Sequence, residues 1–263
     1  MTTTHQALVI KIGGAILENV EALQSLLTVI ASLENKSVVL VHGGGCVVDE
    51  LLSQAGYVTE KRHGLRVSPS EQMTIISGAL AGSVNKTIVA QAAKQNIKAV
   101  GLSLLDGNII NCQLSDKDLG MVGEPEPDDS QLLDTLLNHQ FLPVVSSIGS
   151  LSNGQLVNVN ADDAAVAICQ LINGQLLLLT DVNGVKDGSG EYIPSLNSEQ
   201  AEELITQGVI AGGMTAKVRA ALHAANRLRR SIAVASWQSP EQIVNLLNGE
   251  NIGTRIEANT DSH

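Results

Sequence analysis

Lys11 closes the apolar run 7–12, and Gly13 and Gly14 follow it at once. A cation beside two glycines is a means of holding an anion. Glycine lets the backbone approach closely, and the amides that open a following helix favour negative charge. HGGGCVVDE (42–50) repeats the device after a second apolar run, with Gly44 and Gly45 inside it. Far along the chain, GGMTAKV (212–218) leads a glycine pair into a helical pattern, with Lys217 in about its first turn. In NVNADDAAVAI (158–168), Asn158 and Asn160 fall on one side of an extended backbone. Asp162 then stands at the cap or in the first turn of a helix expected from about residue 164. Two lysines, a carboxylate able to hold them in place and glycine loops suit phosphoryl transfer, where negative charge must be neutralised.

Were the acceptor a carboxylate, the transfer would need no general base, because such a nucleophile is already ionised at neutral pH. None of the six histidines is therefore assigned to catalysis, and His42, at a strand end, is read as structural. TDVNGVKDGSG (180–190) has the Asp, Asn and Gly residues of a nucleotide-binding rim or of a simple turn. Other templates fail. The chain has no GxxxxGK[ST], the spacing of HGGGCV is not GxGxxG, and no GxSxG elbow accompanies the HGGG string. The last two absences weigh against a dinucleotide-dependent oxidoreductase and a hydrolase.

The elements that must carry these residues are legible as alternating runs. Residues 7–12, 37–42, 97–103, 141–147, 175–180 and 231–236 read as strands. They are continuously apolar rather than alternating, which implies cover on both faces. Helical patterns fall near 18–34, 46–55, 71–95, 130–139, 162–172, 198–207, 214–228 and 240–247. The expectation is an α/β fold: a three-layer αβα sandwich around a central, mainly parallel sheet, with ligands beyond the carboxyl ends of the strands. The polar segments 57–68 and 108–122 read as β-hairpin flaps, the first a candidate lid, and 187–192 reads as a tight turn. A lobe boundary is expected near Gly174, dividing 1–173 from 174–263.

Composition narrows the partners. Aromatics make up 2% of the 263 residues and the net charge is -11, so few rings can stack on bases and a phosphate backbone is repelled. The three scattered cysteines form no CxxC pair, which argues against a disulfide framework or a zinc ribbon. No signal-peptide pattern opens the chain, and its longest apolar runs look too short for a membrane span. The expected setting is the cytoplasm.

Together the strings resemble the amino-acid kinase family over nearly the whole chain. KIGGAIL (11–17), VHGGGCVVDELL (41–52), HGLRVSP (63–69), GALAGSVNKTIVA (78–90) and PVVSSIG (143–149) carry the match, continued by NVNADDAAVAI, LLTDVNGV (178–185), GGMTAKV and GTRI (253–256). HGGGCVVDELL, HGLRV and NVNAD point to the branch whose acceptor is N-acetyl-L-glutamate. The resemblance implies that Lys11 and Lys217 steady the γ-phosphoryl of ATP and that Asp162 organises both lysines. It implies that Gly44 and Gly45 hold the acceptor, with Arg66 and Asn158 on its α-carboxylate. It further implies that Gly14 lines the reacting groups, with Gly13 beside it in the phosphate loop. Asp181, Val182, Asn183, Gly184, Val185 and Lys186, with Val209, Ile210 and Ala211, fall where the family holds ATP. Mg²⁺ would arrive with ATP, and no protein metal ligand is assigned. Only about six residues precede the first strand, so the N-terminal helix of arginine-inhibited hexamers is not expected. A homodimer without strong arginine feedback is. The rival expectations are a kinase for glutamate, aspartate or carbamate, and a non-catalytic sensor.

Overall fold

The strands at residues 8–12, 38–42, 142–146, 175–180 and 232–236 are buried along nearly their whole length, because helices cover the sheet on both faces. In the computed structural model of the protein, residues 6–33, 37–62, 64–115 and 118–259 are described. His63 of the first expected flap, residues 116 and 117 of the second, and the end of the tail lie outside them.

In chain order the strands are β1 (Leu8–Ile12), β2 (Val38–His42), β3 (Lys61–Arg62), β4 (Leu65–Arg66), β5 (Ala99–Ser103), β6 (Ile110–Leu114) and β7 (Val122–Pro127). They continue with β8 (Leu142–Ser146), β9 (Ile148–Ser150), β10 (Leu156–Val159), β11 (Gln175–Thr180), β12 (Ser195–Leu196), β13 (Ile232–Ser236) and β14 (Thr254–Ile256). The eight-stranded main sheet runs β12-β14-β13-β11-β1-β2-β8-β5. Every pairing in it is parallel except β13 with β14. Ile12 lies opposite His42, and His42 opposite Ser146, so the carboxyl ends of the central strands line up along one edge.

The helices are α1 (Gly14–Glu18), α2 (Val20–Ser32), α3 (Gly45–Gln54), α4 (Met73–Ser77), α5 (Asn85–Lys94), α6 (Gln131–Asn138), α7 (Ala161–Leu171), α8 (Ser198–Thr206), α9 (Gly213–Leu228) and α10 (Gln242–Leu247). Successive strand residues point to opposite faces, and the core divides accordingly. Val9, Val41, Leu178 and Val234 pack with α7 and α9 on one face. Leu8, Ile10, Leu40, Leu177 and Ala235 pack with α2, α5 and α10 on the other. This is the expected αβα sandwich.

Some expectations shift. The helix read at 18–34 is two, because Asn19 is extended (φ -112°) and caps α2 by accepting from the Ala22 amide at 3.0 Å. Its expected end, residue 34, lies outside the described residues. Residues 108–122 do not form a free flap: β6 pairs with β7, which extends to Pro127, and both join β10 and β9 in a four-stranded sheet. The first hairpin is as expected, with Lys61 opposite Arg66. The turn at 187–192 is built on Asp187, whose carboxylate accepts from the Ser189 and Glu191 amides. The run Ser70–Lys94 is helical throughout but contains a π-helical segment, Gly78–Val84. It is 25 residues long and contains an 18-residue window with a mean hydropathy of 1.2, so by length and composition alone it could cross a membrane. Here its residues Val84, Ile88 and Ala92 pack under the main sheet.

Candidate active site

Lys11 is the fourth residue of β1 and shares the parity of Val9, so its side chain emerges on the face covered by α7. There its ammonium meets Asp162 Oδ1 at 2.8 Å. Asp162 is in the first turn of α7, which begins at Ala161. The cap is Asn160, not Asp162. The Asn160 carboxamide oxygen accepts from the amides of Asp162 (2.8 Å) and Asp163 (3.2 Å), which frees the Asp162 carboxylate for the lysine.

Lys217 lies in the second turn of α9, which opens on Gly212 at φ +57°. Its ammonium is paired with Asp181, at the end of β11, rather than with Asp162. The hydrogen bond from Lys217 holds the Asp181 carboxyl below its usual range, reinforced by the lysine charge and opposed by partial burial. Lys11, Gly13, Gly14, Asp162, Asp181 and Lys217 line one cleft of about 210 Å³. The two lysines thus face a common space, each tethered by its own carboxylate.

A second cavity of about 220 Å³ holds Gly44, Gly45, Arg66 and Asn158. Ala161, which lines this cavity, is followed directly by Asp162, which lines the lysine cleft. Gly44 has φ +149°, which disfavours any side chain, and a Cβ there would sit 2.9 Å from Val84. The Arg66 guanidinium is almost fully buried. It donates through Nη2 to the Gly45 carbonyl (3.0 Å), through Nη1 to Thr59 Oγ1 (3.2 Å), and pairs with Asp49. Burial pushes the Asp49 carboxyl up, but bonds from Arg66 and Thr59 with the Arg66 and Lys61 charges outweigh it and leave it lowered. Asn158 Nδ2 donates to Ser68 Oγ at 3.1 Å. Asp49 was not singled out in the sequence, where it reads as one more polar position of an amphipathic helix.

The third cavity, about 490 Å³, brings together all nine residues of 181–186 and 209–211 named above. Tyr192, Met214 and Gln238 join them, and Lys186 stacks 4.9 Å from the centre of the Tyr192 ring. Asp181 belongs to this cavity and to the lysine cleft alike. Tyr192 follows the acidic turn at 187–191, and nothing in its spacing marks it in the sequence. Helices α3, α7 and α9 open at this part of the molecule, so their amide ends add positive potential to that of the lysines.

No group of three His, Cys, Asp or Glu residues able to hold a metal ion occurs among the described residues. Asp162 and Asp181 are each engaged by a lysine. His42 is fully buried, and burial lowers its pKa to about 4, only partly offset by the bond to the Gly43 carbonyl.

The model of the amino acid kinase family matches residues 6–236. The acetylglutamate kinase of Colwellia psychrerythraea is 70% identical over 252 residues, covering 96% of this chain and 97% of that protein. The acetylglutamate kinase of Moritella profunda is 51% identical over 262 residues, covering 98% and 99%. The crystal structure of smu.665 from Streptococcus mutans superposes with a TM-score of 0.74 at 25% identity, covering 96% of this chain and 99% of the other.

Proposed function

The chain belongs to the amino acid kinase family, and from that premise we propose that it phosphorylates the side-chain carboxylate of N-acetyl-L-glutamate. ATP is the co-substrate, the products are N-acetyl-L-glutamyl 5-phosphate and ADP, and the step belongs to arginine biosynthesis. The supporting observation is the single cleft shared by Lys11 and Lys217, between a glycine-floored cavity and a larger one.

In this reading the acceptor lies in the cavity of Gly44, Gly45, Arg66 and Asn158. The backbone of the glycine turn approaches it closely, and the Arg66 fork and the Asn158 carboxamide orient its α-carboxylate. ATP occupies the cavity of residues 181–186 and 209–211, with its γ-phosphoryl directed into the lysine cleft. An anionic nucleophile approaching a polyanion is opposed by charge. Two lysines with a reference pKa of about 10.4 are cationic at neutral pH and offset that repulsion where it peaks. Lys11, held by Asp162, and Lys217, held by Asp181, are thereby aimed before substrate arrives. Mg²⁺, carried on the phosphate oxygens, would supply further charge neutralisation. We further propose two lobes, 1–173 for the acceptor and 174–263 for the nucleotide, in a cytoplasmic homodimer.

The test is a coupled ADP-release assay of the purified protein with N-acetyl-L-glutamate, L-glutamate, L-aspartate and carbamate in parallel. Turnover is expected with the acetylated compound. A preference for an unacetylated acceptor would move the chain to another branch of the family.

A further inference from the structure

Beneath the glycine turn lies a polar node that the transfer chemistry does not use. His42, the last residue of β2, and Asn85, the first of α5, are both fully buried. Asn85 Nδ2 donates to the Val144 carbonyl at 2.8 Å and to His42 Nε2 at 3.0 Å, with the Leu102 carbonyl at 3.2 Å. The direction of the amide is set from its other side, where Lys86 Nζ donates to Asn85 Oδ1 at 3.2 Å and to the Gly101 carbonyl at 3.4 Å. With Nδ2 as donor, His42 Nε2 must be the unprotonated nitrogen. The proton is then on Nδ1, which donates to the Gly43 carbonyl at 2.7 Å.

The neighbourhood is shaped for this amide. Gly101 on β5 has no side chain where a Cβ would lie 2.0 Å from Asn85 Oδ1. The residue before Asn85 ends the π-helical segment Gly78–Val84, and such widened turns are frequent at functional sites. Two side chains of that segment press on the glycine turn: a Cβ on Gly44 would lie 2.9 Å from Val84 and 3.1 Å from Leu80. Leu80 also lines the acceptor cavity. Burying two polar side chains is costly unless every donor and acceptor is matched, and an apolar pair would fill the space more simply. Here the bonds tie the last residue of β2 and the turn after it to Val144 in β8 and to Gly101 and Leu102 in β5.

We infer that Asn85 is a positioning residue for the acceptor pocket, fixing the turn at residues 43–45 through the neutral ring of His42 and seating the π-helical segment against Gly44. The inference rests on the reading of that pocket as the acceptor site. It assigns to a side chain outside the pocket the control of the backbone that floors it.

The experiment compares the full-length wild type with Asn85→Ala and His42→Gln. It measures steady-state kinetics with N-acetyl-L-glutamate and ATP, ATP affinity by calorimetry, and folding by circular dichroism. Asn85→Ala removes the donor from two buried acceptors and can cost the fold. His42→Gln then decides, because its Oε1 still accepts from Asn85 while the bond to the Gly43 carbonyl is lost. Expected is a rise of about tenfold or more in the acceptor KM, equivalent to about 1.4 kcal/mol, with ATP affinity changed by less than about twofold. Folded variants with an unchanged acceptor KM overturn the inference. So does an equal loss of ATP affinity, the mark of general loosening. A wild type inert toward N-acetyl-L-glutamate fails one stage earlier and overturns the functional reading together with the inference.

Discussion

The ammonium of Lys11 lies 2.8 Å from Asp162 Oδ1, a bond between the end of a central strand and the first turn of the helix packed over it. The pair is partly buried, so the lysine is held toward the cleft before any phosphate arrives. Asp162→Asn keeps the shape and removes the charge that aims the lysine. We expect kcat to fall by about a hundredfold, as for loss of one preorganised electrostatic element, with little change in either KM. A kcat within a few-fold of wild type would leave Asp162 a helix residue only.

Lys217 is tethered separately, to Asp181. Lys11→Ala and Lys217→Ala should each lower kcat by about a hundredfold or more. Asp181→Asn should also weaken ATP, because Asp181 lines the cavity proposed for the nucleotide as well as the cleft. Initial-rate measurements at saturating and limiting ATP separate the two effects. Equal ATP KM values in Asp181→Asn and wild type would confine that carboxylate to the cleft.

Arg66 presents a planar fork with Nη2 on the Gly45 carbonyl and Nη1 on Asp49 and Thr59. Lysine keeps the charge but cannot reproduce that geometry. Arg66→Lys is expected to raise the acceptor KM by about tenfold or more while kcat falls less. If kcat alone changed, the guanidinium would belong to the transfer step instead.

Gly44→Ala meets both a backbone at φ +149° and Val84 at 2.9 Å. The strain is worth about 1–3 kcal/mol, and relieving it means moving the turn. A lower urea midpoint together with a raised acceptor KM is the expected result. A variant as stable and as active as wild type would mean that the turn tolerates a side chain.

His42 gives the stability a pH dependence of known sign. Burial lowers its pKa to about 4, below the 6.5 of an exposed imidazole. As pH falls from 6.5 toward 4 the unfolded chain takes up a proton that the folded chain refuses. Stability contributed by the neutral ring is whole above 6.5 and drains away across that window, by on the order of 3 kcal/mol. Urea unfolding at a series of pH values should show His42→Gln losing less stability than wild type between pH 6.5 and 4. Parallel curves would assign the acid sensitivity to other groups.

Much of this architecture was legible before coordinates. The strands announced themselves as unbroken Val, Ile and Leu runs, since a strand covered on both faces has no polar side to alternate with. Glycines at strand ends marked the loops for the same physical reason, close approach of backbone to ligand. What escaped notice depends on partners distant in sequence. Asn85 reads as an ordinary polar residue of a helical pattern, and only the convergence of β2, β5 and β8 buries it. The Lys217–Asp181 pair joins a helix to a strand end with no local signal, so nothing in the sequence marks Asp181 as a partner for that lysine. The break at Asn19 was missed because the apolar period runs through it, although Asn followed by Val-Glu is a start signal. Strands β9 and β10, at three and four residues, are too short to stand out against the loops around them.

Strand β1 is bonded to β11 along its whole length, from Leu8 opposite Gln175 to Ile12 opposite Leu179. The ladder crosses the proposed line between residues 1–173 and 174–263, so the main sheet is continuous across it. On the proposed reading, closing one side on the other would have to twist that ladder rather than swing about a linker, and Lys11 is mounted on one of its two strands.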